Sequence, residues 1–140
     1  MRRRTSPSSL AVAAALTVTN VAADAPGMSA ALSCRPEAAP GRVLCEVQCA
    51  ASTGARLVWA DALVTDAPAF ARPLRARVSP ERFGEAGQSL RKLGLAFVAS
   101  RPGVGRVSVR ARAVVCRGQG EQERCRPETH DVQAELRVGS

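Results

Sequence analysis

Residues 106–116 read RVSVRARAVVC and residues 125–138 read CRPETHDVQAELRV. In the first stretch Val107, Val109, Ala111, Ala113 and Val115 alternate with Arg106, Ser108, Arg110 and Arg112. In the second, Val132, Ala134, Leu136 and Val138 alternate with Gln133, Glu135 and Arg137. A period of two marks a strand with one buried and one wet face. Folding the pair into a hairpin whose facing residue numbers sum to 241 sets Cys116 opposite Cys125, Arg110 opposite Asp131 and Arg106 opposite Glu135. The same register sets Val109 opposite Val132 and Val107 opposite Ala134 on the other side. Cysteine meets cysteine, base meets acid and apolar meets apolar, and a slip of one residue would undo all three. The loop from Arg117 to Arg124 is polar and holds Gly118 and Gly120.

The period recurs upstream. Val43, Cys45, Val47 and Cys49 alternate with Leu44, Glu46 and Gln48; Leu74, Ala76 and Val78 alternate with Arg75 and Arg77; Leu93, Leu95 and Phe97 share one face. Leu57 to Thr65 is apolar on both parities and reads as a central strand. With Ala30–Arg35 this makes about seven strands, separated by turn signals at Ala39-Pro40-Gly41, Thr53-Gly54, Ala67-Pro68 and Pro102-Gly103. The fold class is therefore all-β: an antiparallel, immunoglobulin-like β-sandwich stapled by disulfides. Ser79–Lys92 breaks the pattern and reads as a crossover between sheets, with Ser79-Pro80-Glu81 able to start one helical turn.

Near the start, facing numbers that sum to 79 set Cys34 opposite Cys45 and Leu32 opposite Val47 around a turn at Ala39-Pro40. Two local disulfides follow, Cys34–Cys45 and Cys116–Cys125, with Cys49 left as a free thiol. A rival pairing stays open, because Cys45, Trp59 and Cys116 imitate the Cys…Trp…Cys spacing of immunoglobulin domains. It requires Cys116 inside, whereas its parity with Arg110 and Arg112 points it outward.

The amino terminus reads as an export signal. Arg2, Arg3 and Arg4 precede an apolar run from Leu10 to Ala23, and Val21-Ala22-Ala23 places small residues before Asp24. Fourteen helical residues span about 21 Å, short of a hydrocarbon core of about 30 Å. The expected organisation is a signal peptide at 1–23, a flexible leader at 24–30 and one domain at 31–140, with no membrane span after cleavage. Export to the periplasm, cell surface or medium makes disulfides the default role of the five cysteines.

Composition narrows the function. The chain has 140 residues and a net charge of +8, and only 3% are aromatic, with one His and no Tyr. That length excludes a (β/α)₈ barrel, and a single imidazole removes most acid–base apparatus. The cysteine spacings supply too few ligands for zinc, so no metal and no cofactor are expected. Cys49 with His130 would form a nucleophile pair only if the fold joined them. Asp61, between apolar neighbours, is expected to bond a backbone group or end a pleat. Arg72, Arg75, Arg77, Arg110 and Arg112 form a candidate polyanion patch, but no exposed aromatics interleave them, so nucleic acid is not expected as a partner.

The stretch Cys116…Cys125-Arg126-Pro127-Glu128-Thr129 with its closing strand resembles the end of the periplasmic N-terminal domain of the transmembrane thiol:disulfide interchange protein. The resemblance implies an immunoglobulin-like fold and would make Cys116 and Cys125 an exchanging pair. Eight residues separate these cysteines, where that family has a shorter gap. The reading of the whole chain is a small secreted or periplasmic binding or structural module without catalysis, its partner a protein or envelope component. Thiol–disulfide exchange and polyanion binding are the alternatives.

Overall fold

The computed structural model describes residues 26–80, 83 and 87–140. The signal peptide at 1–23, residues Asp24 and Ala25 of the leader and Glu81 of the expected helical turn lie outside them. The strands are β1 (Met28–Cys34), β2 (Gly41–Ala51), β3 (Ala55–Asp66), β4 (Ala71–Pro73), β5 (Arg77–Val78), β6 (Leu90–Ala99), β7 (Gly103–Arg117) and β8 (Arg124–Val138). They form two four-stranded antiparallel sheets, β1-β2-β6-β4 and β5-β3-β7-β8. The long strands thus fall into β1-β2-β6 against β3-β7-β8, the A-B-E and C-F-G arrangement of an immunoglobulin sandwich.

The described residues form eight strands, the expected sandwich of about seven, with the short pieces β4 and β5 capping the edges of different sheets. Two expectations need correction here. The leader is shorter than expected: β1 begins at Met28, which is fully buried and pairs with Ala51, while the Gly27 amide donates to Glu128 Oε2 at 2.7 Å. The crossover is shorter as well, since Leu90–Lys92 already belong to β6. That crossover carries the chain from β5 in one sheet to β6 in the other.

Both hairpin registers are those read from the sequence. Cys34 faces Cys45 and Cys116 faces Cys125, and each pair is bonded, leaving Cys49 free. The Arg35 amide donates to the Leu44 carbonyl at 3.0 Å, so residues 35 and 44 are a hydrogen-bonded pair. Alternation then makes Cys34–Cys45 a close, non-hydrogen-bonded pair, the kind a bridge can span.

The core is aliphatic. Phe97, Leu57, Val43, Val47, Val107, Val109 and Leu136 are fully buried around Ala60, Ala62, Ala99, Ala111 and Ala113. Trp59 is not among them. The β3–β7 register shifts between Leu57 and Trp59, so Val58 is a bulge. Leu57 on one side of the bulge and Ala60 and Ala62 on the other all point inward, while Trp59, Asp61 and Leu63 point outward. The apolar content on both parities records this bulge as well as the strand's central place.

Candidate functional site

Among the described residues, two clusters and one expected pair bear on the candidate chemistry. The first surrounds the Cys116–Cys125 bridge. Cys116 lies on the outward parity of β7 and is only 1% exposed. It stays outside the hydrophobic cluster between the sheets. Arg56, its neighbour on β3, reaches over to the loop, donating from Nη1 to the Gly118 carbonyl at 2.9 Å and pairing through Nη2 with Glu123 Oε2 at 3.0 Å. Glu123 Oε1 lies 3.2 Å from Cys125 Sγ. Gly118 has φ of +80°, and a Cβ there would stand 2.5 Å from the Gln122 carbonyl oxygen, so the loop requires glycine. Cys116, Glu123 and Cys125 bring three donor atoms within 4.8 Å of one another, but both sulfurs are already bonded in the bridge.

The second cluster lies on the outer face of the sheet β5-β3-β7-β8. Asp61 is 0% exposed there. Arg77 Nε donates to Asp61 Oδ2 at 2.7 Å, and Arg112 donates from Nε to Oδ1 at 2.8 Å and from Nη2 to Oδ2. The partners of Asp61 are therefore guanidinium groups, where a backbone group was expected. Burial alone would raise the Asp61 carboxyl, but the Arg112 and Arg77 hydrogen bonds and charges outweigh it and hold the carboxyl below its ordinary value. The Arg112 guanidinium is pushed up by its Asp61 hydrogen bond. Arg112 also lies over the Trp59 ring, 5.7 Å from its centroid. Arg110 Nε donates to Asp131 Oδ1 at 3.0 Å, as the register implies. Arg106 faces Glu135, but Glu135 pairs instead with Arg137 at 2.7 Å, two residues along its own strand.

This pairing dissolves the expected polyanion patch. Arg77 and Arg112 are committed to Asp61 and Arg110 to Asp131, while Arg72 sits on β4 in the other sheet. Arg75 is exposed on the link between β4 and β5. The five arginines do not share one surface.

The third candidate was Cys49 with His130. Cys49 is fully buried on the inner face of β2, and burial, then the Asp61 charge, pushes its thiol up. A nucleophilic cysteine needs the opposite shift. His130 sits on β8, with Nε2 3.3 Å from Glu128 Oε1. The imidazole belongs to the contact that anchors Gly27.

No family model matches this chain, and no curated protein matches it. Among solved structures it is similar to BslA, described as a bacterial hydrophobin, at 9% identity and a TM-score of 0.39, over 82% of this chain and 97% of that one. It is also similar to AggA, the major subunit of aggregative adherence fimbriae type I from Escherichia coli, at 11% identity and a TM-score of 0.36, over 79% of this chain and 95% of that one. Neither likeness bears on ligand or activity.

Proposed function

We propose that the mature chain is an exported, non-catalytic β-sandwich that works as a binding or structural module. One observation carries this reading: the side chain set against the exposed sulfur of the outer bridge is a carboxylate. Glu123 Oε1 stands 3.2 Å from Cys125 Sγ. Exchange begins with attack by a thiolate, and its rate rises as the leaving thiol becomes more acidic. A carboxylate beside the sulfur repels the incoming anion and, in the reduced protein, disfavours the Cys125 thiolate. The other sulfur, on Cys116, is buried. A bridge with one sulfur buried and the other beside a carboxylate suits a staple better than a shuttle. No helix among the described residues is long and apolar enough to cross a membrane. The pairs Cys34–Cys45 and Cys116–Cys125 suit an oxidising compartment.

The test is reduction of insulin disulfides by dithiothreitol with catalytic amounts of this protein. We expect the uncatalysed rate, unchanged by Glu123→Gln. A rate that rises in proportion to added protein, and that Cys125→Ser abolishes, would replace the module reading with thiol–disulfide exchange.

A further inference from the structure

The outer face of the sheet β1-β2-β6-β4 is laid out by its registers. Even-numbered residues of β2 and β6 point outward there, because Val43, Cys45, Val47, Leu93, Leu95 and Phe97 point into the core. One row across the sheet runs Arg35, Leu44, Ala96, Leu74, fixed by the hydrogen bonds Arg35 N to Leu44 O and Leu74 N to Ala96 O and by the Leu44–Ala96 pairing. The row beside it runs Arg42, Val98, Arg72. On the other side run Ser33, Glu46, Gly94 and then Ala31, Gln48, Lys92. An aliphatic stripe of Leu44, Ala96, Leu74 and Val98 is therefore rimmed by Arg35, Arg42 and Arg72.

Two features mark this face. Leu44 is 43% and Leu74 48% exposed; on the opposite face Val104 is the one large apolar side chain so placed among the described residues. On the opposite face, Arg77, Arg110 and Arg112 have carboxylate partners, whereas none of the ion pairs among the described residues involves Arg35, Arg42, Arg72 or Lys92. Glu46 is the single acid in the four rows. Each face carries a groove, the opposite one past Val104 and Arg106. On this face a groove of about 600 Å³ runs past Ser33, Arg35, Arg42, Leu44, Glu46 and Ala96, and Gly94 opens its floor, since a Cβ built there meets nothing within 4 Å.

We propose that this groove docks an acidic, aliphatic polypeptide segment, a partner class that rests on the module reading above. Charge complementarity selects the acid, because unpaired rim cations favour carboxylates and raise the rate of encounter. Leu44 and Ala96 on the groove, with Leu74 beyond it along the same row, select aliphatic side chains. Leu44 and Leu74 stand two strands apart, about 10 Å at the usual strand spacing. A second copy bringing up the same face would set cation against cation. Nucleic acid would find no aromatic ring among the face residues on which to stack a base. A planar bilayer does not fill a concave notch, and no aromatic side chain projects from this face to anchor in one.

The experiment titrates the folded, oxidised protein with a fluorescent peptide of about twelve residues alternating Glu and Leu. Parallel titrations use the Lys–Leu counterpart, poly-glutamate and phosphatidylglycerol vesicles. The Glu–Leu peptide should bind at least tenfold more tightly than either comparison polymer, and added salt should weaken it. Arg35→Glu with Arg42→Glu, both on the groove, should weaken it at least tenfold again. Gly94→Trp should do so by filling the groove, with melting curves confirming that each variant folds. Equal affinity for the Lys–Leu peptide, indifference to these substitutions, or preference for the vesicles would overturn the proposal. So would no binding at millimolar peptide to a protein that is oxidised and inactive on insulin, a result that leaves the module reading standing.

Discussion

Replacing Asp61 by Asn keeps the shape of the side chain and removes its charge. The carboxylate accepts three hydrogen bonds from two guanidinium groups in a place with no solvent access. Hydrogen bonds to a charged group contribute about 1.5–3 kcal/mol each. Arg77 and Arg112 are half-exposed and recover water when released, so most of that gross value is returned to solvent. What is not returned is the cost inside: the Asn amide puts N–H donors against guanidinium donors in a sealed position. The net loss should be about 2–3 kcal/mol at pH 7, a drop in melting midpoint of roughly 10 °C for a domain of this size. The pH dependence gives the sign. The Asp61 carboxyl in the folded protein lies below its ordinary value, so its contribution is present above the unfolded value of about 3.9 and is lost as pH falls through the folded one. Urea unfolding of both proteins from pH 7 down to pH 2 should show a gap that is full above about pH 5 and closes on acidification. A gap under about 0.5 kcal/mol at pH 7, or one that stays constant with pH, would refute the assignment of Asp61 as the charged centre of this face.

The two bridges join residues 11 and 9 positions apart, for which chain entropy assigns about 2.8 and about 2.7 kcal/mol. Cys34→Ser with Cys116→Ser should therefore lower the melting midpoint by more than about 10 °C, while Cys49→Ala costs about 1 kcal/mol; equal losses would mean that Cys49 is bridged. A thiol reagent should label no cysteine in the native protein and one after unfolding, because Cys49 is buried with its thiol pushed up; rapid native labelling would contradict its placement. Gly103→Ala should destabilise by about 1–3 kcal/mol in calorimetry, since the new Cβ would meet the Phe70 ring at 2.7 Å; a neutral result would show that the ring moves aside freely.

What the sequence disclosed follows the physics of pairing. A hairpin writes its register into adjacent sequence, so the partners of Cys34 and Cys116 were legible by arithmetic. The central strand was legible as a strand but not as to its faces, because the Val58 bulge exchanges inward and outward parity within it. That exchange placed Trp59 and Asp61 outside. It also made Asp61 the acceptor for Arg77 and Arg112, partners 16 and 51 residues away that no local period connects. The Arg56–Glu123 clasp was hidden for the same reason. The basic rim on the other sheet has a local signal: Arg42, Leu44 and Glu46 alternate with core residues in β2, which assigns them to one wet face.

The reduction potential of the Cys116–Cys125 bridge tests the central claim most directly. It is obtained by equilibrating the protein with graded ratios of reduced and oxidised glutathione or dithiothreitol and trapping the thiols. A staple should equilibrate below about −300 mV, resisting the glutathione pool, and Glu123→Gln should alter the rate of its reduction more than its role. A value above about −230 mV, in the range of exchange catalysts, would contradict the account and make the hairpin a redox centre.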